Sequence, residues 1–444
     1  MTETQAQANW VERWTGAKAS ELGAAMLSFA YFFCLLASYY VLRPIRDEMA
    51  IQIGQGKLAE LFTWVFITML AVVPFFGWLM ATFPRKKILP WLYLFFAANL
   101  LGFYAVMGSA GEQTPMIARV FYVWVSVYNL FVISVFWSFM ADLFDSEQAK
   151  RLYGFIAAGG TVGALAGPVI TTTLVASLGA KHLMLVSGGF LLVSVGLIVA
   201  LIRWEKNSAV DAAAKAKNAS EEIPIGGSVW AGILDVVQSK YLLAICVFLF
   251  AYAILSSLLY FAQVDMLPKQ IASSVERTQL LAKVDLVVNI ITLLVQVFAF
   301  GALVTRLGTR FLLVAMPVVS IVGFIALALN PALAVLLVFG VMRRAGEYAI
   351  SKPARETLFN VLPPEQKYKA KNVIDTLVHR TGDVSSTWIL TGLKSIGMNL
   401  SSMSWLAVPI GAIWLATAWW LGGAAKQKQD ELAKAAVVTR KIME

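Results

Sequence analysis

Runs of about 20 mostly apolar residues recur along almost the whole of this chain, and a run of that length has few ways to fold. The hydrocarbon of a bilayer is about 30 Å thick, and a helix rising about 1.5 Å per residue crosses it in that distance. No water is available there to satisfy backbone N–H and C=O groups, so each run must close its own hydrogen bonds as a helix. Composition agrees: 59% of the 444 residues are hydrophobic and 14% are charged, whereas a soluble domain carries about 25% charged residues. The chain is read as an all-α polytopic membrane protein.

The apolar runs place spans at 21–43, 58–82, 88–109, 117–140, 152–178, 183–203, 241–263, 281–304, 311–329, 331–353, 373–397 and 403–422. Those at 281–304 and 373–397 carry charges and are the least apolar of the set. Asn330-Pro331 predicts a tight break between the ninth and tenth. The longest polar interruption, Glu205–Gly227, contains Asp211-Ala-Ala-Ala-Lys-Ala-Lys217 and ends in Pro224 and two glycines, the composition of a linker. Val229–Lys240 after it has the pattern of an amphipathic surface helix. This divides the chain into an N-terminal half, 1–204, a cytoplasmic linker with its helix, 205–240, and a C-terminal half, 241–444, with about six helices in each half.

The formal net charge is +10. In a soluble protein that would raise nucleic acid as a partner. Here most Lys and Arg fall at one set of alternate loops, which predicts cytoplasmic N- and C-termini and no nucleic-acid role. Pro84-Arg-Lys-Lys87 and Arg306-Leu-Gly-Thr-Arg310 then occupy corresponding inner loops of the two halves. Cys34 and Cys246 sit inside apolar runs, and His182 and His379 are far apart, so neither a disulfide framework nor a metal site is expected. The sequence contains no GxxxxGK[ST] phosphate loop and no HExxH. An enzyme, an ATP-driven pump and a cofactor are not expected.

Charges that interrupt the spans carry the functional signal, because an ionisable residue at mid-bilayer costs about 2.5–3.5 kcal/mol on insertion scales. The first cluster is Arg43-Pro-Ile-Arg-Asp-Glu48, with Arg43, Arg46 and Asp47 on one helical face and Pro44 predicting a kink or the helix end. It reads as a site for an anionic substrate or as interfacial anchoring by long side chains. The second is Arg343-Arg344, Glu347, Lys352 and Arg355-Glu356 on the tenth span. Arg343 and Glu347 are four apart and can pair on one face. Substrate binding, a gate and a structural ion pair are all open. The third is Asp375, His379, Arg380 and Asp383 on the eleventh span, where a buried carboxylate could carry a coupling proton or hold a static pair. Asp285 and Asn289, with Lys283, mark the eighth span, and Glu60 the second. Gly159, Gly163 and Gly167 before Pro168 form a doubled GxxxG, which predicts close helix packing.

Three stretches resemble the ATP/ADP translocases of plastids and intracellular bacteria. They are Tyr39-Tyr-Val-Leu-Arg-Pro-Ile-Arg-Asp47, Glu147-Gln-Ala-Lys-Arg-Leu-Tyr153, and Ser351-Lys-Pro-Ala-Arg-Glu-Thr-Leu-Phe359 with Glu365-Gln-Lys-Tyr-Lys-Ala-Lys371 and Ile374-Asp375. The resemblance covers most of the chain in order. It implies the major facilitator fold, two pseudo-symmetric halves and alternating access. Two positions depart from the family pattern, which has Lys at Arg46 and Lys in place of Asp383. Arg46 keeps the charge as a planar fork, and Asp383 reverses it.

The expected function is secondary transport of an anionic or zwitterionic solute, a nucleotide or phosphorylated metabolite first, across a bacterial inner membrane by a monomer. Arg43, Arg46, Asp47, Arg343, Arg344 and Glu347 are the expected binding residues. Asp285, Asp375, Arg380, Asp383, Lys352 and Arg355 are expected to couple or gate. Two other readings remain open: proton-coupled carriage of a larger organic solute, and a non-transporting membrane scaffold or sensor.

Overall fold

The structure is a computed structural model and describes residues 17–18, 20–82, 85–107, 114–207, 236–363, 366, 370–371 and 373–443. Most of the linker and of the expected amphipathic helix, residues 208–235, lies outside the described residues. Among the described residues there is no strand. Among the described residues, eight helical stretches are long and apolar enough to cross a membrane. Two of these, Ser146–Glu205 and Ser274–Leu329, are each a pair of helices meeting at a glycine in the left-handed region: Gly179 at φ 79° and Gly308 at φ 75°. Only glycine takes such a conformation without steric cost, so each marks a sharp change of direction.

The helices are α1 (Leu22–Ile53), α2 (Leu58–Thr82), α3 (Arg85–Met107), α4 (Thr114–Leu143), α5 (146–178) and α6 (180–207). They continue as α7 (Lys240–Gln270), α8 (274–307), α9 (309–329), α10 (333–357), α11 (374–395) and α12 (Leu400–Met443). Both charged spans are helical. Asn330 leaves the helical region, and α10 starts at Leu333, as the Asn-Pro break predicts. Of the kink or helix end expected at Pro44, the end is not there: α1 runs through it to Ile53. In a membrane helix, neighbouring helices can re-satisfy the carbonyl that proline leaves free, and Pro74, Pro90, Pro168, Pro268, Pro317 and Pro409 are all inside helices as well.

The chain forms two compact units. One comprises Met1–Ile53, Ile67–Ile223 and Ile271–Asn289, and the other Gly54–Phe66, Pro224–Gln270 and Ile290–Glu444. In the first unit α1 is the central rod. Its backbone lies directly on the glycine stripe of α5: a Cβ at Gly159 would be 2.3 Å from the Phe29 carbonyl oxygen, and one at Gly163 would be 2.3 Å from that of Phe33. The doubled GxxxG is thus a packing seam. Polar groups facing this core are mutually satisfied. Tyr31 donates to the Tyr93 hydroxyl at 2.8 Å, and Ser38 bonds to Tyr128 at 2.8 Å and Ser187 at 2.7 Å, tying α1 to α3, α4 and α6.

At the start of α1, buried Glu21 takes a two-pronged bond from Arg151 at 2.9 and 3.0 Å, with further donors in the Lys18 backbone N–H and Gln148. The Arg151 guanidinium, more than any other partner, pulls the Glu21 carboxyl down to about 2. Its stabilisation is complete above the ordinary value of 4.5 and fades as pH falls through that lowered value. Glu21→Gln is expected to cost about 2 kcal/mol at neutral pH, the size of a hydrogen bond to a charged group. Thermal unfolding in detergent should show that gap narrowing between pH 4.5 and 2. A gap that does not change with pH would refute the assignment.

The second unit is centred on Trp414, fully buried on α12 with the rings of Phe248 and Tyr252 on α7 at 5.4 and 5.9 Å. Phe339 of α10 packs edge-on to Phe324 of α9 at 5.0 Å. Three helices of this unit contain π-turns, at Val295–Ala299, Glu347–Ser351 and Ile374–Val378. Such widened turns concentrate at functional sites.

Candidate functional site

The described charges of the spans collect in two places, one in each unit. In the first unit they lie where the end of α1 meets the beginning of α8. Arg43 approaches Asp285 at 3.7 Å, and its guanidinium stands 5.7 Å from the Tyr40 ring. Arg46 folds back on its neighbour Asp47 at 2.7 Å and lies against Tyr122. Glu48 takes a two-pronged bond from Arg277 at 2.6 and 2.9 Å. The same guanidinium caps the free carbonyls of Ile271 and Ala272 at 2.8 Å each. Asp47, Glu48, Arg277 and Asp285 are all buried. Farther along α8, Gln279 donates to the Thr172 carbonyl and Asn289 to that of Ala164. Lys283 is exposed.

Three guanidinium groups thus face three carboxylates, and their charges cancel. A group of this kind suits fastening α1 to α8 better than holding a polyanion, since each cation already has an anion in reach. Arg277 was not singled out among the site candidates. It precedes the apolar run at 281–304, where a charge looks like an ordinary loop residue, and lies in the first turn of α8.

In the second unit the charges follow one face of α10. Arg343, Glu347, Ser351 and Arg355 are spaced four apart and are 4%, 5%, 0% and 7% exposed. The expected Arg343–Glu347 pair is not the one made. Arg343 instead reaches α7, donating to the Ser256 hydroxyl at 2.7 Å and the Tyr252 carbonyl at 3.1 Å, with its guanidinium 4.9 Å from the Tyr252 ring. Glu347 accepts from Arg355, two turns on, at 3.5 Å. The π-turn Glu347–Ser351 lies between Glu347 and Arg355, so regular α-helical spacing does not predict that pair. Tyr252 and Ser256 were not foreseen as partners, since neither interrupts its apolar run.

The cluster is incompletely satisfied. Glu347 Oε2, Ser351 Oγ, Arg343 Nε and Arg355 Nε are buried and have no hydrogen-bond partner among the described residues. Two guanidinium groups against one carboxylate leave a net positive charge. A buried site with spare donors and net positive charge can take an anion at little further desolvation cost.

Beside it on α11, Asp383 lies 3.4 Å from His379 and 3.8 Å from Arg380, and the His379 ring is 6.1 Å from that of Tyr252. These three side chains are half-buried. Arg344 is half-buried and Lys352 is exposed. Asp375 falls in the π-turn of α11, and its side chain lies outside the described residues. Glu60 pairs with Lys57 at 2.7 Å on the surface of α2.

The family model of the Major Facilitator Superfamily matches residues 22–351. Among curated proteins the chain is similar to ADP,ATP carrier protein 1 of Chlamydia trachomatis serovar D, at 24% identity over 94% of this chain and 92% of that one. It is likewise similar to ADP,ATP carrier protein 1 of Chlamydia muridarum, at 24% identity over 95% and 93% of the two chains. Among solved structures, a bacterial homologue of the iron transporter ferroportin in an inward-facing state matches with a TM-score of 0.61, 15% identity, and 93% and 99% of the two chains covered. The nucleoside transporter NupG matches with a TM-score of 0.56 and 14% identity over 93% and 98%. These structural likenesses concern the fold alone.

Proposed function

The chain belongs to the major facilitator superfamily, and from that premise we propose that it is a secondary active transporter of an adenine nucleotide or a closely related phosphorylated metabolite. The observation that carries the cargo class is the buried face of α10, where Arg343 and Arg355 outweigh Glu347 and have donors to spare. The curated relatives named as ADP,ATP carriers support the nucleotide as first choice. Arg343 and Arg355 bind the phosphate oxygens, and Arg344 adds positive potential. Arg43–Asp285 and Glu48–Arg277 fasten the end of α1 to α8 and open during alternating access. The protein works as a monomer in a bacterial inner membrane with both termini cytoplasmic.

The test is uptake of labelled ATP and ADP by proteoliposomes. Saturable uptake is expected, and Arg343→Ala or Arg355→Ala should lower its efficiency by about 10- to 100-fold, the worth of a lost charge-assisted hydrogen bond. Absence of both uptake and binding by the unaltered protein would remove nucleotides.

One observation favours a second reading, proton-coupled carriage of a larger organic solute: Asp383 is paired with His379 where the nucleotide translocase pattern has Lys. A carboxylate beside a phosphate site repels a polyanion. If uptake follows an imposed pH gradient and Asp383→Asn abolishes that dependence, the second reading prevails.

A further inference from the structure

The α10 ladder holds a carboxylate where an anion site would not need one. We propose that Glu347 is a built-in stand-in for the substrate's phosphate: it occupies Arg355 when the carrier is empty and yields it when substrate binds. This rests on the anion-binding reading of α10 and adds a role for the acidic residue on its buried face.

The geometry sets the Glu347–Arg355 pair apart from the Glu48–Arg277 pair. In the first unit Glu48 and Arg277 meet through two bonds of 2.6 and 2.9 Å, and both carboxylate oxygens are engaged. Glu347 and Arg355 share a single contact at 3.5 Å, at the outer limit of a hydrogen bond. The second oxygen of Glu347 is buried and unpartnered, as is the Nε of Arg355. A pair built for stability would rotate into the two-pronged arrangement, because an unpaired buried oxygen costs free energy. This pair is held apart by the backbone, with the π-turn Glu347–Ser351 setting the position of the carboxylate. Ser351 Oγ, also buried and unpartnered on the same face, gives a displaced carboxylate or an arriving phosphate a further partner.

The consequence concerns the empty carrier. Without Glu347, two buried guanidinium groups would face each other's field with no anion, a state costly to carry through the membrane. With it, the empty site holds one excess charge and can reorient. Glu347 therefore lowers affinity for substrate and permits net movement as well as exchange.

The experiment compares the unaltered protein, Glu347→Gln and Glu347→Gln/Arg355→Gln in proteoliposomes that are either empty or preloaded with ATP. Glu347→Gln is expected to lower the KM for ATP about tenfold, to keep uptake into preloaded vesicles, and to lose most uptake into empty ones. The double variant should lose the KM gain. An unchanged or raised KM in Glu347→Gln, with both kinds of vesicle affected alike, overturns the proposal. If Glu347→Gln is not monodisperse in detergent, Glu347→Asp, which draws the carboxylate back by one methylene, must shift KM in the same direction by a smaller factor, and no shift overturns the proposal equally. Failure of the unaltered protein to transport or bind nucleotide would instead count against the cargo reading, and the same comparison would then be run with inorganic phosphate as the bound probe.

Discussion

Glu48→Gln or Arg277→Gln is expected to destabilise the protein by about 3–5 kcal/mol, the cost of leaving one member of a buried ion pair uncompensated. The two residues are 3% and 7% exposed, so the surviving charge has almost no water to turn to. Arg277→Gln should be the worse of the two. It removes the partner of Glu48 and also strips the Ile271 and Ala272 carbonyls of their donor. Replacing both residues together by Leu and Met should recover much of the loss, since a buried pair exchanged for apolar groups of similar size is often neutral. Chemical or thermal unfolding in detergent of the unaltered protein, the two single variants and Glu48→Gln/Arg277→Gln measures the coupling directly. Single losses below about 1 kcal/mol that simply add would show that the pair is solvated and does not fasten α1 to α8.

The second large effect is expected at the glycine seam. Gly163→Leu should abolish folding of the first unit or cost about 4 kcal/mol or more. Even a methyl group at Gly163 would sit 2.3 Å from the Phe33 oxygen and 3.0 Å from the Ala37 nitrogen. Both obstacles are backbone, which no rotamer change can move. The helices would have to separate and forfeit the close contact that holds membrane helices together where no hydrophobic effect drives their association. Gly196→Ala on α6 is the control: nothing lies within 4 Å of its Cβ, so the ordinary helix preference for alanine applies and stability should rise by about 0.5–1 kcal/mol. If Gly163→Ala proves as well tolerated as Gly196→Ala, the seam is not close-packed.

Both predictions show where sequence reasoning reaches and where it stops. The seam was legible because GxxxG is local: its spacing alone puts the glycines on one face of one helix. The Glu48–Arg277 bond joins residues 229 apart, and nothing in the local pattern of either announces the other. Arg43 and Asp285 were each recognisable as costly charges within spans, yet their meeting at 3.7 Å depends on α8 lying against α1. On α10 local spacing misled, since Arg343 reaches Ser256 and Tyr252 on α7 while Glu347 meets Arg355 across the π-turn.

The sequence by itself determined that this chain is a many-helix membrane protein. Apolar runs of bilayer length admit only that solution, because lipid offers backbone groups no other partner. It also determined which side chains had to be explained, since charge in hydrocarbon is too costly to be incidental. Only the tertiary structure decided which partners those charges meet. It set the first-helix cluster against α8, where three cations and three anions cancel, and left the α10 cluster with a positive remainder and unfilled donors. The net charge of a site is a sum over residues distant in sequence, and that sum exists only once the helices have packed.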